Sequence, residues 1–351
     1  FTCILKACGL TGSLNKGKQI HDEIRCKGLV QKDAMLGTAL IDMYAKCGLL
    51  EKAEEVIKQL PVRNEVSWSA LITGYTKQEK FHGALECFGR MQAEGFSPNE
   101  VTFICTLKAC GSLRAIEEGE MIYSEVVYRG LEKDVVLGTA LVDMYARCGM
   151  LVKAQDVLEE LPLRNVVCWN ALIGGYAQEG HGNEAINCFQ QMQREAISPS
   201  IVTFISILKA CTKIGAIKKG IKIHSEILSR GLLMKDIVLG TTLVDMYAKC
   251  GALAEAQQVL ERLPTRDVVA WNSLISGYAQ KGHDHETLHC FARMQMERLS
   301  PNEITFNCIL QACASIGAIE KGQKLHDEIL EGHFLENNVV LGTSLVDMYA
   351  K

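Results

Sequence analysis

Proline is scarce in this sequence, with 6 in 351 residues, which leaves little room for Pro-rich linkers. Long apolar runs are missing as well. No stretch reaches the about 18 apolar residues that mark a spanning helix, so no membrane partner is expected. No C-x-x-C occurs among the 15 cysteines, which removes the commonest zinc spacing, and no metal site is expected. Positive charge is not in excess: 37 Lys and Arg stand against 41 Asp and Glu, a net charge of −4. Phosphate binders usually carry a basic imprint, although a basic stripe on one face can coexist with an acidic remainder.

An apolar fraction of 48% with 22% charged residues describes a well-packed chain rather than a disordered one. Length alone would suggest about two domains, but internal repetition overrides that expectation. Trp68, Trp169 and Trp271 are 101 and 102 residues apart, and Gly37, Gly138, Gly240 and Gly342 keep the same period. Self-similarity at a fixed period is the signature of a solenoid. Each long period divides into three related units, exemplified by 166–200, 201–236 and 237–267, of 35, 36 and 31 residues.

All three units share a plan of helix, short turn, helix and connection. Trp169, Leu172, Ile173 and Tyr176 sit at i, i+3, i+4, i+7, one face of a helix. After the break at Glu179–Gly182, Ala185, Cys188, Phe189 and Met192 repeat those offsets. Cys148-Gly149 punctuates the paired helices, and Leu161-Pro162 and Ser198-Pro199 follow the second. Helices of about 12 residues cannot bury both faces as an isolated pair, so stacking on neighbours must complete the core. The spacing predicts an all-α solenoid of stacked helix-turn-helix repeats. The cysteines recur in phase, as Cys8, Cys110, Cys211 and Cys313, as Cys47, Cys148 and Cys250, and as Cys87, Cys188 and Cys290. Thiols at fixed phases of a helical pattern read as small packing residues, and so many unpaired ones imply a reducing compartment.

The frame V-V-x-W-N-x-L-I-x-G-Y, closing on P-S or P-N, resembles the pentatricopeptide repeat. The alternation of unit lengths resembles its plant P-L-S subtype. The long form is matched by V-T-F-x-x-x-L-K-A-C at Val101–Cys110 and Val202–Cys211, the short form by G-T-x-L-V-D-M-Y-A-K-C-G at Gly240–Gly251. The resemblance covers the whole chain, 1–351, as one array. Its units are L 1–33, S 34–64, P 65–99, L 100–134, S 135–165, P 166–200, L 201–236, S 237–267, P 268–302, L 303–338 and S 339–351, the first and last partial. Tetratricopeptide repeats are the competing family, and a peptide-binding scaffold is the alternative they offer. Leu172 is followed by Ile173 rather than the Gly of their W-x-x-L-G element, and the 36/31 alternation is foreign to them.

The resemblance implies a right-handed superhelix that binds single-stranded RNA, one base per unit. The fifth residue of the first helix and the last residue of the unit would read each base. Carried onto this sequence, the pairs are Ser69/Asn99, Asn170/Ser200 and Asn272/Asn302 in P units. In S units they are Thr38/Asn64, Thr139/Asn165 and Thr241/Asp267. Base-stacking wedges would be Val66, Val167 and Val269, with Met35, Val136 and Val238. The family's code then implies a target of 5′-nAAnACnGYn-3′, where n faces an L unit. Ile104 and Ile205 at the fifth position cannot hydrogen-bond a base, while Thr2/Asp33 and Asn307/Asn338 have readable residue types.

Part of this stands on chemistry alone. An array with a near-invariant apolar frame has no packing reason to vary one polar position, and Asn, Ser and Thr offer different donor and acceptor sets. The competing explanation is helix N-capping, which favours the same residue types. Lys46, Arg147 and Lys249, with Lys77, end first helices, where either phosphate contact or favourable charge at a helix C-terminus accounts for them. The triplets His21-Asp22-Glu23, His224-Ser225-Glu226 and His326-Asp327-Glu328 match the H-x-E of zinc deaminases, but the required P-C-x-x-C is absent and the fourth copy reads Tyr123-Ser124-Glu125. They are expected to be structural, and neither a catalytic residue, a cofactor nor a small-molecule substrate is expected. Phe1 and Lys351 both fall inside repeats, so the sequence reads as a fragment of a longer protein. The resemblance further implies a mitochondrial or chloroplast location, a part in C-to-U editing, and accessory editing factors as further partners.

Overall fold

The computed structural model describes residues 1–29, 33–335 and 338–351. Among the described residues there are 21 α-helices and no strand, and the architecture is the all-α helical repeat solenoid that the spacing predicts. The chain divides into two compact units, Phe1–Gly175 and Tyr176–Lys351.

In the first unit the helices are α1 (Thr2–Thr11), α2 (Leu14–Cys26), α3 (Ala34–Lys46), α4 (Leu50–Gln59), α5 (Glu65–Lys77) and α6 (Phe81–Ala93), followed by α7 (Glu100–Leu113), α8 (Ile116–Tyr128), α9 (Val135–Arg147), α10 (Leu151–Glu160) and the start of α11 (Val166–Glu179). The first helices stack in series, α1 on α3, α3 on α5, α5 on α7 and α7 on α9. Each second helix packs on its own first helix, and α2, α4, α6 and α8 also touch the next one.

The second unit holds α12 (Gly182–Arg194), α13 (Ile201–Ile214), α14 (Ile217–Ser229), α15 (Ile237–Lys249) and α16 (Leu253–Arg262), then α17 (Val268–Gln280), α18 (Asp284–Met296), α19 (Glu303–Ile316), α20 (Ile319–Glu331) and α21 (Val339–Ala350). It repeats the scheme, with α13, α15, α17, α19 and α21 stacked in series.

Local chemistry explains where the helices start. The last residue of one unit caps the first helix of the next: Asn64 Oδ1 accepts from Ser67 N at 2.8 Å, Asn99 from Thr102 N at 3.0 Å, and Asp267 from Ala270 N at 2.8 Å. Such a cap contributes about 0.5–2 kcal/mol over alanine. Second helices begin without a side-chain cap. In the S units they follow a tight Cys-Gly turn in which Gly48, Gly149 and Gly251 take φ of 89°, 79° and 81°, where a side chain would be strained.

The packing core is the apolar frame itself. Trp68, Trp169 and Trp271 are almost fully buried, as are the leucine and isoleucine three and four residues beyond each. Arg90 lies over the Trp68 ring and Arg293 over Trp271, at 5.2 and 5.5 Å from their centroids. The cysteines are all free thiols; those of the Cys8 and Cys87 series are buried, and burial pushes Cys87 and Cys110 up to about 12. These buried thiols pack rather than react.

Glycines set how closely the helices meet. A Cβ on Gly74 would stand 2.5 Å from the Ala45 Cβ, and one on Gly37 2.2 Å from Leu60 Cδ2. In the L units a Cβ on Gly17 or Gly119 would strike the sulfur of Met43 or Met144, at 2.6 and 2.7 Å.

The histidine triplets belong to the same packing. His21 Nδ1 is 2.8 Å from the Tyr44 hydroxyl, His224 Nδ1 2.9 Å from Tyr247, and His326 Nδ1 3.0 Å from Tyr349, each joining a second helix to the next first helix. Where the triplet begins with Tyr123, that ring meets Tyr145 edge-on at 5.9 Å. Their ring nitrogens thus hold neighbouring units together, as expected of structural residues.

Two predictions follow from this packing. Gly74→Ala gains helix propensity, yet Ala45 cannot move aside, so urea denaturation is expected to show a loss of about 1–3 kcal/mol. Gly89→Ala, on α6 with nothing within 4 Å of the added Cβ, is expected to gain up to about 1 kcal/mol. Burial lowers the His21 and His224 pKa below the ordinary 6.5, with Asp22 opposing the shift at His21. The unfolded chain therefore takes up protons first. The stability these residues contribute is complete above about pH 6.5 and is lost as pH falls through their folded-state values. Melting temperatures between about pH 7.5 and about pH 5.5 should drop, and drop less in a His21→Gln, His224→Gln variant.

Candidate functional site

Residues two and five of a first helix lie nearly one turn apart and share a face. At the second position the structure leaves an apolar residue in solvent every time. Met35, Val66, Val136, Val167, Val238 and Val269 are between 57% and 71% exposed. Sequence reasoning missed that Val101, Val202 and Ile304 of the L units sit at the same phase and are also more than half exposed. An isolated β-branched residue on a surface is ordinary; the same one at every unit is a row.

Beside this row the fifth residues sit deeper. Ser69, Thr241 and Asn272 are only 7%, 8% and 6% exposed. Three of the sequence-derived pairs are joined directly. Asn99 Nδ2 donates to Ser69 Oγ at 3.0 Å, Asn272 Nδ2 to Asn302 Oδ1 at 2.8 Å, and Thr241 Oγ1 to Asp267 Oδ1 at 3.3 Å. The last residue of each pair is also the N-cap of the following first helix. Capping and pairing are therefore both properties of one side chain, and the two explanations of its residue type do not compete.

The other pairs differ. Thr38 Oγ1 donates to Ala34 O at 3.0 Å and Thr139 Oγ1 to Val135 O at 2.6 Å, turning back onto their own helices, although Thr139 Oγ1 also lies 3.6 Å from Cys168 Sγ on α11. Asn64 and Asn165 cap α5 and α11 without reaching them; Asn165 Oδ1 accepts from Val167 N and Cys168 N at 2.8 and 3.0 Å. Asn170 is half-buried in the first unit, and Ser200 caps α13 in the second.

In the first unit these residues line one open groove of about 550 Å³. Its walls include the apolar Met35, Val66 and Val101, with the polar Thr38, Ser69 and Asn99 between them. An apolar residue alternating with a cluster of fixed donors and acceptors can sandwich planar rings and read their polar edges.

Three of the four cations that end first helices have an acidic partner one turn away. Lys46, Arg147 and Lys249 each pair with the aspartate one turn earlier, Asp42, Asp143 and Asp245, at 2.6, 2.8 and 2.9 Å. Their charge is matched within the helix, at half-exposed to exposed positions where such a pair contributes only a few tenths of a kcal/mol. Lys77 is exposed and has no ion pair among the described residues. Lys6, Lys108 and Lys209 recur at one phase of the L-unit first helices, are exposed, and are likewise without an ion pair among the described residues; Lys6 lines the groove. The repeated L-K-A-C carried this signal.

Comparison with known proteins agrees with this organisation. The PPR repeat family matches residues 63–112, 164–213 and 266–315, and the PPR repeat matches 38–64, 139–166, 202–232, 241–268 and 304–334. The chain is 35% identical over 353 residues to the Arabidopsis thaliana pentatricopeptide repeat-containing protein At4g18520, chloroplastic, covering all of this chain and 56% of the relative. To At2g03380, mitochondrial, from the same plant, it is 37% identical over 352 residues, covering all of this chain and 50% of the relative. The chain thus spans about half the length of the curated relatives it matches. Among solved structures, PPR10 in complex with an 18-nt psaJ RNA element has the same fold, with a TM-score of 0.72 at 20% identity over 91% of this chain and 48% of that one.

Proposed function

We propose that this chain, which belongs to the pentatricopeptide repeat family, binds single-stranded RNA and reads one base per repeat unit. The observation that carries the reading is the alternation along the groove. Exposed apolar side chains at the second position flank part-buried polar pairs such as Ser69/Asn99, so each base has an apolar surface to stack on and a fixed polar pair at its edge. The relative PPR10, of the same fold, was solved with RNA. The pairs Ser69/Asn99, Asn170/Ser200, Asn272/Asn302, Thr38/Asn64, Thr139/Asn165 and Thr241/Asp267 then specify the target 5′-nAAnACnGYn-3′. Backbone contacts fall to the unpaired lysines Lys6, Lys108 and Lys209, with Lys77, rather than to the aspartate-matched cations at the ends of the S-unit helices.

The array supplies an address rather than a reaction. Its relatives carry chloroplastic and mitochondrial names, which supports an organellar transcript as the target; C-to-U editing is the event that the P-L-S alternation of unit lengths suggests. A second surface suits accessory proteins: Val127, Leu228 and Leu330 recur at one phase of the L-unit second helices and are 43%, 43% and 50% exposed.

Gel shifts at one fixed salt concentration test the reading. The predicted RNA is expected to bind at least roughly tenfold more tightly than a scrambled one of equal composition, since each well-read base is worth about 1–3 kcal/mol. Equal binding of the two would remove sequence reading from the account. For the second surface, Leu228→Glu should weaken capture of an accessory editing factor in a pull-down while leaving the RNA shift unchanged.

A further inference from the structure

One residue in contact with the reading pairs comes from neither partner. Thr102, on α7, is fully buried and belongs to the L unit that follows the pair Ser69/Asn99. Its Oγ1 is 2.6 Å from Ser69 Oγ and donates to Asn99 Oδ1 at 3.0 Å. With Asn99 Nδ2 donating to Ser69 Oγ at 3.0 Å, the three side chains close a ring. A hydroxyl has one proton, and that of Thr102 goes to the Asn99 carbonyl oxygen. The Ser69 proton must therefore go to Thr102. What is left facing the groove is one lone pair of Ser69 and the second N–H of Asn99, one acceptor beside one donor.

The same device recurs in the second compact unit. Thr305, on α19, is fully buried; its Oγ1 is 2.6 Å from Asn272 Oδ1 and 3.1 Å from Asn302 Oδ1, its one proton goes to the nearer oxygen, and Asn272 Nδ2 donates to Asn302 Oδ1 at 2.8 Å. Here the threonine fixes which end of the Asn272 amide faces Asn302. The free groups are then the second N–H of Asn272 and the Asn302 amide nitrogen, both donors.

Where an S unit precedes a P unit the arrangement is different. The equivalent positions hold Ser67, Cys168 and Ala270. The Ser67 hydroxyl donates to Asn64 O at 2.7 Å within its own cap and Thr38 turns onto its own helix, whereas Cys168 Sγ, 3.6 Å from Thr139 Oγ1 and 3.1 Å from Asn165 Oδ1, keeps only a weaker thiol form of the contact.

We propose that Thr102 and Thr305 are positioning residues that set the donor and acceptor pattern of the P-unit reading pair before them, so that an L unit tunes the base read by its neighbour. An acceptor beside a donor suits the adenine edge, where the amino group donates and N1 accepts; guanine reverses that order, with O6 accepting where the adenine amino group donates and N1–H donating where the adenine N1 accepts. Two donors suit the acceptor oxygens of a pyrimidine. This rests on the RNA-reading function proposed above, and it gives a use to L units whose own fifth residue, Ile104, cannot hydrogen-bond.

The test measures binding of the predicted RNA with A or G at its third base, facing Ser69/Asn99, and with A or G at its second base as an internal control. In Thr102→Val the A-over-G preference at base three should shrink roughly threefold to tenfold, the scale of one net hydrogen bond. Preference at base two should stay unchanged, and Thr102→Ser should restore base three. Thr305→Val with pyrimidine or purine at base nine is an independent arm, should Thr102→Val not fold. If wild type discriminates at base three and Thr102→Val discriminates equally, the positioning role is overturned. If wild type discriminates at no base, the RNA-reading function falls and this role with it.

Discussion

Everything the groove presents depends on how closely consecutive first helices approach. Ala45 and Gly74 meet where a single methyl on the glycine would lie 2.5 Å from its neighbour, and Gly175 faces Ala146 the same way at 2.9 Å. That contact leaves no slack in the spacing between units. With the spacing held, the second residue of each first helix emerges into solvent and the fifth sinks to the depth at which it reaches the cap of the next helix. Interior packing of this kind resists continuous adjustment, so a row of reading positions keeps its register for as long as the glycines remain glycines.

The cap at each junction links the scaffold to the proposed reading pair. Asn99, Asp267 and Asn302 start a helix with one oxygen and touch the preceding unit's fifth residue with the same side chain. The vocabulary at this position is therefore the vocabulary of N-caps: Asn, Asp and Ser. A base code that varied freely here would unravel helix starts. A code confined to cap-competent residues varies the donor and acceptor set at nearly constant stability.

Much of this was legible in the sequence because it is local or strictly periodic. The helix class follows from offsets such as Trp169, Leu172, Ile173 and Tyr176, and the division into units from the recurrence of Gly37, Gly138 and Gly240. Pairs such as Ser69 and Asn99 came from resemblance, and the structure adds that three of them touch. What stayed hidden depends on contacts between units. His21 meets Tyr44 across 23 residues, and no spacing within one helix announces that. A hydroxyl at the Thr102 position ordinarily returns to its own cap; its second contact, to Ser69, needs the two helices side by side. The aspartates beside Lys46, Arg147 and Lys249 were within reach of the helical i, i+4 rule.

Reading by one pair per base is tested most directly by rewriting one pair and watching one base. The double variant Ser69→Thr, Asn99→Asp keeps a cap-competent residue at the start of α7 and changes the pair to the guanine-preferring combination. Affinities measured at fixed salt for RNAs carrying each of the four bases at position three should show the preference moving from A to G, by roughly tenfold or more. Preferences at the neighbouring positions should stay as they were. A preference that remains on A, or one that shifts at every position together, would contradict the account.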